Sequence, residues 1–458
     1  MGWSWAPRAS APRVRLALAI GLSLGTALVD PARAHAHGRP PALRQLVIDP
    51  ADPERWVAQA TWGLATSDDG GESWRWTCAA AYDVDPTFED PRLALIGGGI
   101  FLASFAGVRS SPRGCEWDLA LSADIVSDLV AVSNEEALAL VFDGERDRLV
   151  RWAGGGAAAE ALFEAPDDVL FDRLVVAPGD PATVYLGARV PLGPMRERQL
   201  VLLASVDGGE TFRRTDVARV GEEYALEVDA VDPDDPQRLF AHALNFDGET
   251  APERVIRSED GGATVEEVLG VPQVGGLLAL PGGVVVVGSR LGGLWVSRDG
   301  GDTFARVAEV AVQCLSMAGD ALLVCTDQAL DGFALARLEG VGDDEVRITP
   351  LLRLDEIREA RACPTCSASG ITCPGWLPDI VQDLGIPPEE VGLTLADLPG
   401  EAGTGAPREA SLPFECGGPA PPRSAGCASS PGQATSALIA LGLLGARSRR
   451  RRDATRGD

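Results

Sequence analysis

Acidic side chains are the first groups in this sequence that could do chemistry. Two carboxylates held about 5–10 Å apart can hydrolyse a glycosidic bond. Among the 67 Asp and Glu residues, Asp168 and Asp172 bracket one apolar segment. Glu222, Glu223 and Glu227 cluster beside another. Because most acidic side chains are solvated surface groups, these clusters leave a glycoside hydrolase open without selecting it.

Histidine is too scarce for most other catalytic arrangements. The sequence has three histidines, of which His35 and His37 lie at the amino terminus, where they are removed with the leader or left at the very start of the chain. His242 alone belongs to the part expected to fold, so a Ser-His-Asp triad or a histidine-rich metal site is hard to assemble. It stands in the apolar run 240–244, which predicts a structural role in the core or in a channel. We therefore predict no catalytic residue, no cofactor and no metal.

Cysteine usage predicts an oxidising compartment. Of nine cysteines, Cys427 lies in the carboxy-terminal tail, and the remaining even number predicts four disulfides in an exported protein. The cysteines Cys314 and Cys325 flank a predicted tight turn at Gly319, so they would face each other across a hairpin and form one of these disulfides. The eight candidates are Cys78, Cys115, Cys314, Cys325, Cys363, Cys366, Cys373 and Cys416.

The other cysteines allow more than one chemistry. Cys78 and Cys115 each lie beside a predicted turn, and we expect a bridge between them. The later group, which includes the pair Cys363 and Cys366 at Cys-x-x-Cys spacing, predicts two local disulfides, with a zinc site as the alternative. A redox role would need a thioredoxin-like βαβ context, which the surrounding sequence lacks.

An eight-residue motif occurs four times in the sequence and indicates the secondary structure that must position the acidic, histidine and cysteine side chains. Each reads Ser-x-Asp-x-Gly-x-Ser/Thr-aromatic, except that Val265 replaces the aromatic residue in the third copy. The principal positions are Ser67, Asp69, Gly71 and Trp74; Ser205, Asp207, Gly209 and Phe212; Ser258, Asp260 and Gly262; and Ser297, Asp299, Gly301 and Phe304.

The chemistry of this motif is that of a turn between two strands. The Asp carboxylate can accept hydrogen bonds from backbone N–H groups further along the turn. Glycine adopts positive φ without steric cost, and the hydroxyls can satisfy other turn groups. The closing aromatic residue begins the next strand and packs between sheets. We therefore interpret the motif as a structural element and not as a site.

The motif resembles the Asp-box, or BNR repeat, of sialidase-like and sortilin-like β-propellers. Weaker copies between the four boxes give roughly seven units of about 39–53 residues, the period of propeller blades. Their markers are Ser67, Ser110, Trp152, Ser205, Ser258, Ser297 and Ala336. The resemblance implies an all-β, seven-bladed β-propeller over residues 41–352, built from four-stranded antiparallel blades.

The resemblance does not extend to sialidase activity. A sialidase needs an arginine triad, a Tyr–Glu nucleophile pair and a general-acid Asp, and its Arg-Ile-Pro motif is missing here. The nearest sequence, 347–350, reads Arg-Ile-Thr-Pro and lies at the wrong end. The three tyrosines, Tyr82, Tyr185 and Tyr224, have no context that suits a nucleophile.

The amino terminus predicts export. Residues 1–36 read as a signal peptide, with basic residues at Arg8, Arg13 and Arg15, an apolar run from residue 16, and Ala-x-Ala cleavage sites at 32–34 and 34–36. The alternative is an uncleaved membrane anchor.

The carboxy-terminal part of the chain divides into three segments. Residues 353–416 predict a small Cys-rich domain with two short helices, over 376–384 and from Pro387, which either caps the propeller or forms a stalk. Residues 417–433 form a flexible linker rich in Pro, Gly and Ser. Residues 434–458 contain a short apolar run and an Arg cluster.

Cys427, the apolar run and the Arg cluster together resemble the myxobacterial C-terminal sorting tag. That resemblance implies processing at Cys427 by a sorting protease, attachment of a lipid, and display on the outer cell surface. The alternatives are a weak membrane anchor, because the run is shorter than the roughly 20 residues that span a bilayer, and a disordered tail.

The net charge and the lengths of two loops restrict the kinds of ligand that we expect. The net charge of −27 disfavours nucleic acid and anionic membranes as partners, and indicates solubility more than a dedicated cationic ligand. The segments 189–199 and 245–252 lengthen two units and predict binding loops on one face. We expect an exported, non-catalytic binding or scaffold protein for a protein or glycan ligand. The rival is a two-carboxylate glycoside hydrolase, and a third possibility is an assembly factor, since the repeats also resemble photosystem assembly propellers.

Overall fold

The computed structural model describes residues 39–153, 158–193, 197–246, 251–343 and 345–398. Seven antiparallel sheets succeed one another along the chain, and each takes its four main strands from one continuous stretch. The first strands of successive sheets contact one another, and the first strand of the first sheet contacts that of the seventh, so the ring closes. The predicted all-β, seven-bladed β-propeller is confirmed.

The first four blades contain strands β1 to β16. Blade one has β1 (Leu43–Asp49), β2 (Asp52–Ala60), β3 (Gly63–Ser67) and β4 (Arg75–Cys78), and blade two has β5 (Arg92–Ile96), β6 (Gly99–Ser104), β7 (Gly107–Ser111) and β8 (Asp118–Leu121). Blade three has β9 (Ile125–Ala131), β10 (Glu136–Phe142), β11 (Asp147–Ala153) and β12 (Glu160–Glu164), and blade four has β13 (Leu170–Ala177), β14 (Asp180–Pro191), β15 (Arg198–Ser205) and β16 (Arg213–Val217).

The last three blades contain β17 to β28. Blade five has β17 (Glu223–Asp232), β18 (Asp235–Asn245), β19 (Glu253–Ser258) and β20 (Glu266–Val271), and blade six has β21 (Val274–Leu280), β22 (Val284–Ser289), β23 (Gly293–Ser297) and β24 (Ala305–Ala308). Blade seven has β25 (Val312–Ala318), β26 (Ala321–Thr326), β27 (Leu335–Glu339) and β28 (Arg347–Leu352). All seven sequence markers fall on the third strand of their blades.

Apolar side chains on the second and third strands hold neighbouring blades together. β22, for example, begins with four consecutive valines, of which Val285, Val286 and Val287 are buried, because both faces of this strand are covered by adjacent sheets. The hydrophobic clusters are accordingly shared between blades: one joins blades three and four, and another joins blades four and five.

Side-chain hydrogen bonds add a second link between successive inner strands. Gln45 of blade one exchanges two hydrogen bonds with the backbone of Leu93 in blade two. Asp128 of blade three accepts a hydrogen bond at 2.8 Å from Leu174 N of blade four. Gln45 is half-buried and Asp128 is buried, and their hydrogen bonds satisfy backbone groups at the boundary between blades.

The segment that follows blade seven crosses to blade one and fastens the ring. Residues Glu359–Ala360 form β29, which pairs in parallel with β4 and makes blade one a five-stranded sheet. Leu354 and Ile357 are buried in the cluster that also contains residues of blades one and seven. We call residues 353–373 the strap. Each blade takes its four main strands from one continuous stretch of the chain, and the strap connects the last blade to the first.

Two disulfides attach the strap, and they correct the predicted connectivity. Cys78 is bonded to Cys373, and Cys115 to Cys363. The expected Cys78–Cys115 bridge between blades is therefore wrong, and so is the expectation that Cys363 and Cys373 form local bonds. Sequence spacing cannot show that the strap returns to the outer edges of blades one and two.

The remaining described cysteines are also oxidised. Cys314 is bonded to Cys325 across the β25–β26 hairpin, where the two residues are register partners. Cys366 is disulfide-bonded as well. The zinc alternative for the late cysteines is wrong, because thiols engaged in disulfides cannot serve as thiolate ligands. Cys416 and Cys427 lie outside the described residues, as do residues 1–36, 417–433 and 434–458.

Short helices complete the described chain. α1 (Gln328–Asp331) connects β26 to β27. α2 (Ala368–Thr372) lies at the end of the strap and α3 (Leu377–Leu384) follows it, with 3-10 turns at Cys373–Trp376 and Pro388–Val391. Ile380, Val381 and Leu384 of α3 are buried in the cluster of blade one. The appendage thus leans on the outer side of the propeller. No helix among the described residues is long and apolar enough to cross a bilayer.

Candidate functional site

The two ends of the propeller differ in what they carry. Because strands alternate in direction within each blade, connections between first and second and between third and fourth strands lie at one end. All four boxes connect third and fourth strands, so we call this end the box face. Connections between second and third strands and between blades lie at the other end, which we call the pocket face.

A cavity of about 790 Å³ opens at the pocket face between the inner strands. Its walls come from the first strands of six blades, which places it on the axis of the ring. Five cationic and three anionic side chains line it: Arg44, Arg92, Arg173, Arg290 and His242, with Glu227, Asp229 and Glu253. The excess is confined to the lining, because Asp90 lies 3.9 Å from Arg44 Nε and Asp128 lies 3.9 Å from Arg92 Nε, and the whole chain has a net charge of −27.

Glu227 and Arg173 form a close ion pair in the pocket. Arg173 Nη1 lies 2.6 Å from Glu227 Oε2 and 3.6 Å from Asp229 Oδ1. Arg92 Nη2 approaches Glu227 Oε2 to 3.8 Å. Burial opposes ionisation of Glu227, but Arg173, Arg92 and His242 outweigh it and lower its pKa to about 2. Glu227 is therefore a permanent anion whose charge is already compensated.

His242 is the buried partner of Asp229. Its Nδ1 lies 2.6 Å from Asp229 Oδ2, and its Nε2 lies 4.0 Å from Glu253 Oε2. Burial favours the neutral ring, yet the charge and hydrogen bond of Asp229 dominate with the help of Glu227 and Glu253, and they raise the pKa of His242 to about 9. His242 is thus cationic at neutral pH, and the predicted core or channel role describes it correctly.

Glu253 connects two blades. Its Oε2 accepts a hydrogen bond at 2.6 Å from Val274 N, the first residue of the inner strand of blade six. Burial raises the pKa of Glu253, against the opposing influence of His242 and of backbone N–H groups. Glu253 thus links blades five and six in the way that Asp128 links blades three and four, by accepting a hydrogen bond from the backbone of the next inner strand.

Arg44 and Arg290 lack the close carboxylate contact that Arg173 makes with Glu227. Arg44 Nη1 donates to Gln313 Oε1 at 2.5 Å, while its Nε lies 3.9 Å from Asp90 Oδ2. The Arg290 side chain makes no hydrogen bond or ion pair within the described residues, and its Nε is buried. Burial and the charge of Arg290 lower the pKa of Arg44 to about 10. Burial also lowers the pKa of Arg290.

Glu227, Asp229 and His242 could in principle ligate a metal, since one ligand atom of each lies within 4.8 Å of the others. The expectation of no metal did not foresee this cluster. Its ligand atoms are engaged, however: Asp229 Oδ2 bonds His242, and Glu227 Oε2 bonds Arg173. A cation would have to displace the Arg173 guanidinium, so the donor set fits an ion-pair network better than a metal site.

Only one of the carboxylates singled out from sequence lies in the pocket. Glu227 lines it, whereas Asp168 is an exposed turn residue with φ of 67°. Asp172 accepts a hydrogen bond from Leu226 N and pairs with Arg189. The others are Glu223, which pairs with Arg254 at 2.6 Å, and Glu222, which also has partners.

The pocket also contains residues that the sequence had not marked out. Asp229 lies two positions after Glu227 on an inner strand, and alternate residues of a strand point to the same face. This spacing of two acidic residues in an apolar run could have indicated that Asp229 belongs to the same site. Arg44, Arg173 and Arg290 gave no such signal because isolated arginines are common in loops and at strand edges.

Of the tyrosines, only Tyr224 reaches the pocket. Its ring stacks on Phe246 with centroids 4.2 Å apart, and burial and Glu227 raise its pKa. Tyr82 is buried, and Tyr185 donates its hydroxyl to Pro236 O at 2.7 Å. None of the three has the lowered pKa or adjacent base of an activated nucleophile.

The four boxes form nearly identical turns on the box face. In the box of blade four, Gly209 N donates to Ser205 Oγ at 2.9 Å, and Thr211 N and Oγ1 donate to Asp207 at 2.9 and 2.5 Å. Hydrogen bonds of this kind lower the pKa of Asp260 and of Asp299 to about 2. The carboxylates are therefore occupied by their own turns.

The second glycine of each box permits close packing on a neighbouring side chain. A Cβ on Gly209, whose φ is 94°, would lie 2.5 Å from Leu149 of the preceding blade. A Cβ on Gly301 would lie 2.8 Å from Phe240, also in the preceding blade. Among the closing residues, Phe212 contacts Phe163 of blade three, with ring centroids 4.7 Å apart. The recurring residues of the motif thus have structural contacts.

No family model matches the chain, and no curated protein matches its sequence. Among solved structures, the GH74 enzyme of Niastella koreensis is similar with 15% identity and a TM-score of 0.40, over 67% of this chain and 65% of that enzyme. YCF48 from Cyanidioschyzon merolae is similar with 12% identity and a TM-score of 0.45, over 68% of this chain and 95% of that protein. The β-propeller domain of the Trilobed protease from Pyrococcus furiosus is similar with 12% identity and a TM-score of 0.41, over 68% of this chain and 96% of that domain.

Fold and pocket together define the class: a seven-bladed β-propeller with a charged pocket at one end of its axis. The chain spans 65% of the length of the GH74 enzyme it resembles. Likeness at such low identity concerns architecture alone, and the chemistry of this chain has to be argued from its own side chains.

Proposed function

We propose that this protein is an exported, non-catalytic binding protein that holds its ligand at the pocket face. The observation that carries the proposal is the axial cavity of about 790 Å³, a size that suits a ligand or an inserted group. Its carboxylates are already paired with Arg173, with His242 or with backbone N–H groups. Such groups shape and charge a site, but they are poorly placed to transfer protons.

Glycoside hydrolysis is the second candidate, and one observation favours it. The pocket moves the pKa of Glu227 down to about 2 and that of Glu253 up, and carboxylates whose pKa values diverge are the usual base and acid of such enzymes. Against it, Glu253 Oε2 is bonded to Val274 N, and Glu227 Oε2 to Arg173. The pocket lining contains Tyr224 and Phe246 but no tryptophan to hold a sugar ring.

A single screen separates the two candidates. The purified mature protein is applied to arrayed peptides and glycans, and both retention and release of reducing ends are measured. Binding without release supports the proposal, and release of reducing ends that is lost in Glu227→Gln would reject it in favour of hydrolysis.

The binding face is tested with two exposed apolar residues. Phe246 is 45% exposed at the pocket, and Val206 is 81% exposed on the box face. Phe246→Ala should weaken binding, and the matched Val206→Ala should not. Equal effects of both substitutions would place the ligand elsewhere.

Export and display on the outer cell surface complete the proposal. The disulfides Cys78–Cys373, Cys115–Cys363 and Cys314–Cys325 support it, because such bonds persist in oxidising compartments. The partners in this step would be the export machinery and a sorting protease that acts at Cys427, with a lipid or the tail as the membrane attachment. Help in assembling another complex would be one form of the same binding role.

A further inference from the structure

We infer that Arg44 and Arg290 form a carboxylate-binding site in the axial pocket, and that the carboxylate belongs to a polypeptide partner. This inference rests on the proposed binding function and specifies its ligand. Four observations support it: the pairing of the two guanidiniums, the charge of the pocket, the donors beside them and the apolar residues around the opening.

The first observation is that these guanidiniums lack an anionic partner of their own. Arg290 Nε is buried without a hydrogen bond, and within the described residues no carboxylate lies within ion-pair distance of this guanidinium, although Glu253 and Asp90 act on it from further away. Arg44 has Gln313 as its hydrogen-bonded partner, and Asp90 lies 3.9 Å away. That carboxylate is already engaged by Arg39, whose two nitrogens lie 2.9 Å from its oxygens.

The cost of this arrangement indicates a use for it. A partly buried cation without a partner loses hydration and gains little in return. Among charged groups, Arg290 has the largest influence on the pKa of Arg44, which it lowers, and both residues line the same cavity. An anion placed between them would relieve both penalties at once.

The pocket as a whole would attract such an anion. Five cationic side chains face three anionic ones there, although the chain carries a net charge of −27. Because Glu227, Asp229 and Glu253 remain nearby, the excess is small and suits a monoanion better than a phosphate dianion. A planar carboxylate also matches the fork of a guanidinium with two parallel hydrogen bonds.

Gln313 supplies a further donor at the same place. It is 7% exposed, and its Oε1 accepts from Arg44. Its amide nitrogen makes no hydrogen bond within the described residues and therefore remains available beside Arg44. Gly275 packs closely against blade seven and against Arg290, since a Cβ there would lie 1.9 Å from Val312 O and 3.3 Å from Arg290 Cγ.

The residues around the opening favour a polypeptide over an acidic glycan. Of the ten large apolar side chains exposed in the described residues, seven lie on connections of the pocket face. Leu291 directly follows Arg290 and is 55% exposed, and Phe246 stands at the pocket itself. Exposed apolar side chains beside a pocket mark protein contacts whereas scattered ones do not, so Phe246 and Leu291 carry this argument. The seven are Phe88, Phe105, Leu192, Val220, Phe246, Leu291 and Leu330.

The test uses the mature protein and a random peptide library whose members end in a free carboxylate. The peptides retained by the wild type are then resynthesised with an amidated carboxy terminus, and separately with each Asp or Glu replaced by Ala. Affinities are measured for the wild type, Arg44→Gln, Arg290→Gln and the control Arg306→Gln. Arg306 is an arginine of the outer strand of blade six that pairs with Glu309.

We expect loss of the carboxylate to weaken binding at least about tenfold, and Arg290→Gln and Arg44→Gln to do the same. Arg306→Gln should change nothing. Acetate should compete more effectively than phosphate at equal ionic strength. The amidated and Ala-substituted peptides distinguish a terminal carboxylate from one on a side chain.

Two results would overturn the inference while leaving the binding function intact. One is peptide binding that is unaffected by amidation, by Ala substitution and by Arg290→Gln. The other is retention of acidic glycans in place of peptides. If neither peptides nor glycans are retained at the pocket face, the proposed binding function itself fails.

Discussion

His242 Nδ1 lies 2.6 Å from Asp229 Oδ2, and both side chains are 4% exposed. The two residues sit on neighbouring strands of blade five, β17 and β18, where Glu227 is the direct register partner of His242. A bulge between Val228 and Ala230 accompanies this arrangement. The propeller therefore holds a buried cation against two inner-strand carboxylates at its axis.

This pair predicts a loss of stability at alkaline pH. The pKa of His242 rises to about 9 in the folded protein, against 6.5 as the ordinary value. A raised folded-state pKa stabilises the protein fully below pH 6.5, and the contribution disappears as the pH rises through 9. We expect the free energy of unfolding in urea to fall by an amount on the order of 3 kcal/mol between pH 6 and pH 9.5. His242→Gln should flatten this part of the profile, and identical slopes for both proteins would contradict the assignment.

Arg173 and Arg290 should respond oppositely to removal of their charges. Arg173→Met removes the closest cation of Glu227 and leaves Arg92, at 3.8 Å, and His242 as its remaining positive neighbours, so we expect a loss of roughly 2–3 kcal/mol. Arg290→Met removes a cation that has no partner within the described residues, so stability should stay within about 0.5 kcal/mol or increase. Urea unfolding at pH 7 measures both. A large loss for Arg290→Met would show that this arginine has a structural role instead.

The strap predicts a marked dependence on its disulfides. Cys78–Cys373 joins residues 295 positions apart, and Cys115–Cys363 joins residues 248 apart. We expect Cys78→Ser with Cys373→Ser to lower the free energy of unfolding by about 3–5 kcal/mol. The control is Cys314→Ser with Cys325→Ser, which opens a loop of 11 residues and should cost less. Equal thermal shifts for the two double variants would show that the strap does not hold the ring.

The boxes should affect stability and leave binding unchanged. Asp207→Ala removes the acceptor of Thr211 N and of Thr211 Oγ1, and we expect a loss of about 1–2 kcal/mol. Glu210→Ala, an exposed substitution in the same turn, should stay within about 0.5 kcal/mol. Weaker ligand binding by folded Asp207→Ala protein would mean that the box face takes part in recognition.

Cys427 should decide where the protein is found. If the tail is a sorting tag, Cys427→Ala should shift the protein from the cell surface to the membrane or soluble fraction, as followed by surface proteolysis and fractionation. Ser429→Ala or Ser430→Ala, within three positions of the same residue, should leave the distribution unchanged. Surface display that survives Cys427→Ala would reject the sorting tag.

Much of the architecture could be predicted because it is encoded locally. Ser205, Asp207 and Gly209 specify a turn through hydrogen bonds that span only a few residues, so the motif identifies its structure wherever it occurs. The spacing of such turns then gives the number of blades. The Cys314–Cys325 bond was equally predictable, since both residues flank one hairpin.

The pocket and the strap depend on contacts that no local pattern describes. Arg44 and Arg290 become neighbours only because closure of the ring brings blades one and six to the same axis. Cys78 meets Cys373 because the strap returns to the outer edge of blade one. By itself, then, the sequence determined a seven-bladed propeller through short-range turn chemistry and strand periodicity. The tertiary structure alone decided which distant charges share the axial pocket and which cysteines close the ring, because both follow from the circular arrangement of the blades.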